Sequence, residues 1–85
     1  MKMYFDNDNG ERYEILTRFR DDVMLLQTTS GNYIVARWIK GGSWGAGHYW
    51  MDERSKAWKD FFKLAYEASE IEMSYDDFIE MFREV

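Results

Sequence analysis

Residues 33–39 read Tyr-Ile-Val-Ala-Arg-Trp-Ile, the clearest strand sequence in the chain. β-Branched and aromatic side chains predominate there, and such side chains fit the pleated, half-buried surface of a sheet. The preceding cluster at residues 29–32, Thr-Ser-Gly-Asn, suits a tight hairpin because Gly31 and Asn32 tolerate positive φ. Residues 23–28 upstream are apolar on both faces and therefore predict the antiparallel partner strand.

Two further segments extend this meander toward the N-terminus. Residues 12–19 alternate, which places one set of side chains on one face and a second set on the other. The first set is Tyr13, Ile15, Thr17 and Phe19, and the second is Glu14, Leu16 and Arg18. Residues 3–5 predict a short strand that pairs through an Asn-Gly turn at residues 9–10. A glycine-rich loop at 41–47 and a short returning strand at 48–51 complete a predicted antiparallel sheet of three to five strands over residues 1–51.

The second half of the chain changes to a helical period. Apolar residues recur at spacings of three and four, which predicts a helix over 52–69. These are Trp58, Phe61, Phe62, Ala65 and Ala68, with Lys56, Lys59, Asp60, Lys63 and Glu67 on the opposite face. Ser74, with Asp77 three residues later, is typical of a capping box and predicts a second helix over 74–84. We expect an α+β fold with two helices on one sheet face, the face that carries Ile15 or its neighbours on that strand.

Length and composition bound the class of protein. Eighty-five residues allow one domain, and 46% apolar with 19% aromatic residues can form a dense core. The absence of cysteine excludes disulfides and thiolate zinc sites, and a single histidine argues against a histidine metal centre or a Ser/His catalytic unit. No apolar run is long enough for a membrane span, and the N-terminus lacks a signal-peptide core. We therefore expect a single-domain, cytoplasmic protein.

No motif in the chain specifies catalysis or a cofactor. His48 and Tyr49 follow the glycine-rich loop at the positions where a P-loop requires Lys and Ser or Thr. A lone histidine beside a tyrosine is typical of a hydrogen-bonded structural residue. The acids that begin the second helix, Asp76 and Asp77, are explained by capping and by the helix dipole. The sequence predicts no catalytic residue, no metal and no cofactor.

Charge is distributed unevenly along the chain. The total is −5; residues 1–51 carry six basic and six acidic groups, whereas residues 67–85 carry seven acidic groups and one basic group. All of the net charge therefore belongs to the last nineteen residues, either as a solvated surface or as a surface that faces a basic partner. The candidate partner-binding residues are Glu70, Glu72, Asp76, Glu80, Glu84 and, in the glycine-rich loop, Trp44. For Trp44, packing on the sheet and exposure as a binding contact are both open alternatives.

The basic residues of the predicted strands allow a second hypothesis. Arg12 and Arg18 are an even number of residues apart on one predicted strand, so regular alternation places them on the same face. The same holds for Tyr33 and Arg37 on another predicted strand. On one open sheet face, these four would form a platform for single-stranded nucleic acid through stacking and cationic contacts. The acidic total charge and the missing aromatic-glycine pattern of RNA-binding sheets argue against this alternative.

The order of motifs resembles a family of small uncharacterised proteins carried by phages and conjugative elements of Firmicutes-type bacteria. The resemblance covers residues 10–66, and its specific part is the block Gly-Ser-Trp-x-x-Gly-His-Tyr at residues 42–49. Trp50 stands where the family has Phe, and the acidic segment after residue 70 is an addition. The resemblance implies an accessory or anti-defence role of the anti-CRISPR type. We therefore expect a non-enzymatic inhibitor that binds a basic, nucleic-acid-binding site of a host defence protein.

Overall fold

The computed structural model describes residues 2–69 and 74–80 and contains one antiparallel sheet. Its strands are β1 (Met3–Asp6), β2 (Arg12–Phe19), β3 (Val23–Gln27), β4 (Tyr33–Lys40) and β5 (Ser43–Trp50). They lie in chain order, each paired with the next, and are followed by α1 (Arg54–Ser69) and the six-residue α2 (Tyr75–Glu80). The α+β class and the antiparallel meander are confirmed. Within the described ranges, no helix is long and apolar enough to cross a membrane.

A β-bulge in β2 overturns the predicted alternation of that strand. The register with β3 shifts between Ile15 and Thr17, so one residue is inserted into the pairing. Ile15 pairs with Leu26 on one face, and Thr17 pairs with Leu25 on the other. Residues 13 and 15 therefore lie on the opposite sheet face from residues 17 and 19, because the inserted residue moves every later side chain of the strand to the other face.

Helix α1 covers the face of the sheet formed by β3, β4 and β5. The buried side chains of this layer are Val23, Leu25, Tyr33 and Val35 from the sheet and Ala57, Phe61, Leu64 and Ala65 from the helix. Ile15 lies on the opposite face, so the prediction that the helix packs against it is wrong. The strand neighbours Leu16 and Phe19 do contact the helix-side cluster. Leu16 is on the face opposite Ile15 by ordinary alternation, and the bulge brings Phe19 to that same face, toward α1.

The prediction of two covering helices is also wrong. Helix α1, with 16 residues, covers the sheet, whereas α2 has six residues and contacts α1. The predicted extension of this helix through residue 84 falls on residues 81–84, outside the described part of the chain.

The second sheet face buries its own core because the sheet curls on itself. Phe5, Tyr13, Met24, Leu26, Ile34 and Ala36 are buried there. The Asp8 amide donates a 2.9 Å hydrogen bond to the Gly42 carbonyl, and this bond joins the β1–β2 turn to the β4–β5 turn. A side chain at Gly42 would collide with the Asp8 carboxylate and would lie 3.1 Å from the Asp6 carbonyl oxygen. Glycine at this position therefore allows the two ends of the sheet to meet over the concave face.

The glycine-rich segment is mostly strand rather than loop. β5 includes residues 43–50, so the returning strand begins five residues earlier than predicted. Its glycines accommodate large rings: a Cβ at Gly45 would lie 3.1 Å from the Trp38 ring, and one at Gly47 would lie 2.8 Å from the Trp44 indole nitrogen. Close packing of aromatic rings thus overrides the weak strand propensity of glycine.

Candidate protein-binding surface

Helix α2 presents an acidic surface. Asp76, Asp77 and Glu80 are exposed, and residues 75–80 contain no basic side chain. Asp76 and Glu80 are four residues apart and therefore share one face of the helix. Ser74 begins the helix as predicted, because its hydroxyl accepts a 3.1 Å hydrogen bond from the Asp77 amide. The remaining acidic candidates, Glu70, Glu72 and Glu84, lie outside the described residues.

Most basic side chains on and around the sheet are matched with carboxylates. The ion pairs are Lys2–Glu14 at 3.6 Å, Arg12–Asp6 at 2.7 Å, Arg18–Asp21, Arg20–Asp22 at 2.9 Å and Lys56–Glu53 at 2.6 Å. The hydrogen bond from Arg12 holds the pKa of Asp6 below its usual value. The same contact raises the pKa of the Arg12 guanidinium. These local pairs cancel much of the positive charge near the sheet.

The residues of the nucleic-acid hypothesis do not form one open platform. Arg18 lies opposite Met24 on the concave face, whereas Arg37 lies opposite Val23 on the face that α1 covers. Tyr33 is only 6% exposed, so its ring is not free to stack on a base. Arg12 is exposed but bound to Asp6. The β2 bulge is the physical reason for the separation, since it places Arg12 and Arg18 on different faces.

Trp44, a candidate binding contact, is packed rather than free. Its ring centroid lies 5.7 Å from that of Phe5 and 6.0 Å from that of Tyr13. These contacts connect β5 to β1 and β2 across the concave face. Trp44 is therefore one of the residues that close the sheet, and it is not part of the acidic surface.

The exposed tryptophan is Trp38, which the sequence did not indicate. It is 60% exposed and has a φ of +56°, a left-handed conformation that favours glycine. The register between β4 and β5 passes over Trp38, whose amide instead donates to the Asp22 carbonyl at 3.0 Å. Arg37 stacks on the indole at 4.8 Å. The pairs on both sides of Trp38 keep one register, so no residue is inserted there, and no short sequence pattern marks the position.

A second group missed by the sequence links β5 to α1. The Asp60 carboxylate is 2.6 Å from His48 Nδ1 and accepts a 3.2 Å hydrogen bond from the Trp50 indole. Its side chain is 13% exposed, so the prediction that Asp60 lies on the solvent face of the helix is wrong. The spacing of Ala57, Asp60, Phe61 and Leu64 is the helical i, i+3, i+4, i+7 pattern and contained this information. Chemically, the carboxylate orients the imidazole and ties the edge strand to the helix.

This link predicts a graded loss of stability. We expect Asp60→Ala to lower the free energy of unfolding by about 1–3 kcal/mol, because it leaves the Trp50 indole and His48 without their acceptor. Asp60→Asn retains an acceptor oxygen and is expected to cost less. Urea denaturation of both variants, with exposed Lys59→Ala as a matched control on the same helix, measures the difference. Equal stability of Asp60→Ala and the parent protein would contradict the structural role.

A concave depression lies where the sheet ends meet. It has a volume of about 410 Å³, and the residues that line it include Phe5, Ile15, Met24 and Ile39. Its rim carries Asp6, Asp8, Asp21 and Arg18. Two of these acids already bind arginines, so the depression adds acidic character to the surface without forming a cluster of ligands. Among residues 2–69 and 74–80, no group of three or more His, Asp or Glu side chains is arranged to hold a metal ion.

Comparison of the chain with protein-family models, curated proteins and solved structures finds no match.

Proposed function

We propose that the chain is a non-enzymatic protein-binding module that uses its acidic C-terminal surface to occupy a basic site on a partner protein. The described residues of this surface are Asp76, Asp77 and Glu80, and Glu70, Glu72 and Glu84 extend it in sequence. The proposed partner is a host defence protein whose basic site normally holds nucleic acid. The result would be inhibition of the anti-CRISPR type.

The observation that carries the proposal is the concentration of exposed acids in α2. Asp76, Asp77 and Glu80 are exposed within six residues that include no basic side chain. In the rest of the described chain, five of the basic side chains lie beside a carboxylate. A channel built for a phosphate backbone attracts any array of carboxylates at suitable spacing, and this attraction weakens with salt. An acidic helix that lies against α1 suits that role.

A pair of double variants tests the proposal. We expect Asp76→Asn with Glu80→Gln to slow association with a fluorescent lysine-rich peptide by at least about threefold at low ionic strength, and the deficit to shrink as salt is added. The matched control, Asp52→Asn with Glu67→Gln, removes the same charge from exposed positions elsewhere. Stopped-flow fluorescence anisotropy at several salt concentrations gives the rates.

Two outcomes would contradict the proposal. An equal reduction in both double variants would mean that only total charge matters. Tight binding of a single-stranded oligonucleotide by the parent protein, weakened by Arg12→Ala or Arg37→Ala, would favour direct nucleic-acid binding instead. Neither α2 substitution removes the Ser74 cap, so a change in association rate would not come from loss of this helix start.

A further inference from the structure

Strand β4 carries two basic side chains that have no acidic partner. Arg37 and Lys40 form no ion pair within residues 2–69 and 74–80, and β4 itself contains no acidic residue. The acids of the adjacent turn, Asp21 and Asp22, are already bound to other arginines. The local charge of β4 is therefore positive, in a chain whose net charge is −5.

The Arg37 side chain is held in place by the neighbouring ring. It is half-buried, and its guanidinium carbon lies 4.8 Å from the centroid of the Trp38 ring. Its Nε atom is buried and, in the described part of the chain, has no hydrogen-bond partner. Buried polar groups are nearly always hydrogen-bonded, so this exception requires an explanation. A guanidinium that is charged, stacked and free of carboxylates is pre-organised to bind an anion through its terminal nitrogens.

The backbone keeps the Trp38 ring exposed beside this cation. Its φ of +56° is unfavourable for a bulky residue, and a 3.0 Å hydrogen bond from its amide to the Asp22 carbonyl holds it there. The ring packs over Gly45, where a Cβ would lie 3.1 Å from it, and is still 60% exposed. Strained backbone of this kind occurs most often at functional positions. The fold therefore presents an aromatic ring and a free cation together.

We propose that Arg37 and Trp38 bind an acidic segment of a partner protein. In this site Arg37 pairs with a carboxylate, and Trp38 contacts an apolar side chain next to that carboxylate. The guanidinium matches the planar, two-oxygen geometry of a carboxylate. Tryptophan and arginine are also the residues that most often dominate the binding energy of protein interfaces. The site uses other residues than the acidic surface of α2, so this inference does not depend on the proposed function.

The charges around the site favour a protein carboxylate over nucleic acid. A nucleic-acid strand brings a row of phosphates, and its affinity comes from several simultaneous cationic contacts. On the described surface, Arg12, Arg18 and Arg20 are bound to carboxylates and do not extend such a row. A few free cations beside one exposed ring suit an isolated carboxylate with an apolar neighbour.

Fluorescence anisotropy with a labelled peptide of alternating glutamate and leucine residues tests the proposal. The measurement uses an ionic strength of about 0.15 M, where repulsion by the net charge is screened beyond about 8 Å. We expect Arg37→Gln to weaken binding by about tenfold or more and Trp38→Ala by about threefold or more. Lys59→Gln, the matched control, removes the same charge from an exposed position on α1 and is expected to change binding by less than about twofold. Thermal melting verifies that every variant is folded at the temperature of the measurement.

Three results would overturn the proposal. The first is a parent protein that does not bind the peptide at millimolar concentration. The second is an equal loss in Arg37→Gln and Lys59→Gln, because only the total charge would then matter. The third is tighter binding of a single-stranded oligonucleotide than of the peptide, with the same dependence on Arg37, because the occupant would then be nucleic acid.

Discussion

Phe61→Ala is expected to lower the free energy of unfolding by about 3–5 kcal/mol, which corresponds to a drop in melting temperature of at least roughly 12 °C. Phe61 is 0% exposed and lies at the centre of the helix-side core, between α1 and strands β3 and β4. Its ring also contacts two other rings of the helix, at centroid distances of 6.3 Å to Trp58 and 5.5 Å to Phe62. Removing it opens a cavity that a close-packed core fills only in part. Urea denaturation followed by circular dichroism measures the change.

The neighbouring residues supply the controls for this experiment. Phe62 is only half-buried at the margin of the same cluster, so Phe62→Ala is expected to cost less than Phe61→Ala. Lys63 is exposed, and Lys63→Ala is expected to change stability by less than about 0.5 kcal/mol. A series in which Phe62→Ala destabilises more than Phe61→Ala would mean that the buried stripe of α1 is rotated by one residue.

Local patterns predicted most of the secondary structure. Period-two and helical spacings are properties of short segments, and they located the strands, the hairpin turns and α1. The bulge at residues 15–17 and the left-handed backbone at Trp38 were not predictable in this way. The bulge inserts a single residue into β2 and bends that strand, and the need for the sheet to close arises from contacts between strands that are distant in sequence. The sheet face on which Ile15, Arg18 and Phe19 each lie therefore could not be predicted from a short segment of sequence.

The same distinction applies to the candidate surface. Charge counting located the net charge in the last nineteen residues, and the three described acids of α2 are exposed, because charged side chains stay in water unless a partner compensates them. Asp60 is such a compensated exception, held by His48 and Trp50. The helical spacing of Asp60 predicts that its side chain is buried, whereas its charge predicts that it is exposed. The sequence alone did not indicate which of these two predictions is correct. The environments of Trp38 and Trp44 also depend on contacts between strands: Trp38 is exposed, whereas Trp44 packs against Phe5 and Tyr13.

The two tryptophans of this strand pair allow a direct test of how the sheet closes. Trp44→Ala is expected to lower the free energy of unfolding by about 2–4 kcal/mol, because the ring packs against Phe5 and Tyr13 across the concave face. Loss of those contacts would separate β5 from β1 and β2, where the Asp8–Gly42 hydrogen bond is the accompanying backbone link.

Trp38→Ala, the matched control, removes the same side chain from a position that is 60% exposed and is expected to cost less than about 1 kcal/mol. Thermal and urea denaturation of both variants give the two values under identical conditions. If Trp38→Ala proved the more destabilising substitution, the Trp44 ring would not be the main contact that holds the sheet closed. A Trp44→Ala variant as stable as the parent protein would restore the alternative that Trp44 is available as a binding contact.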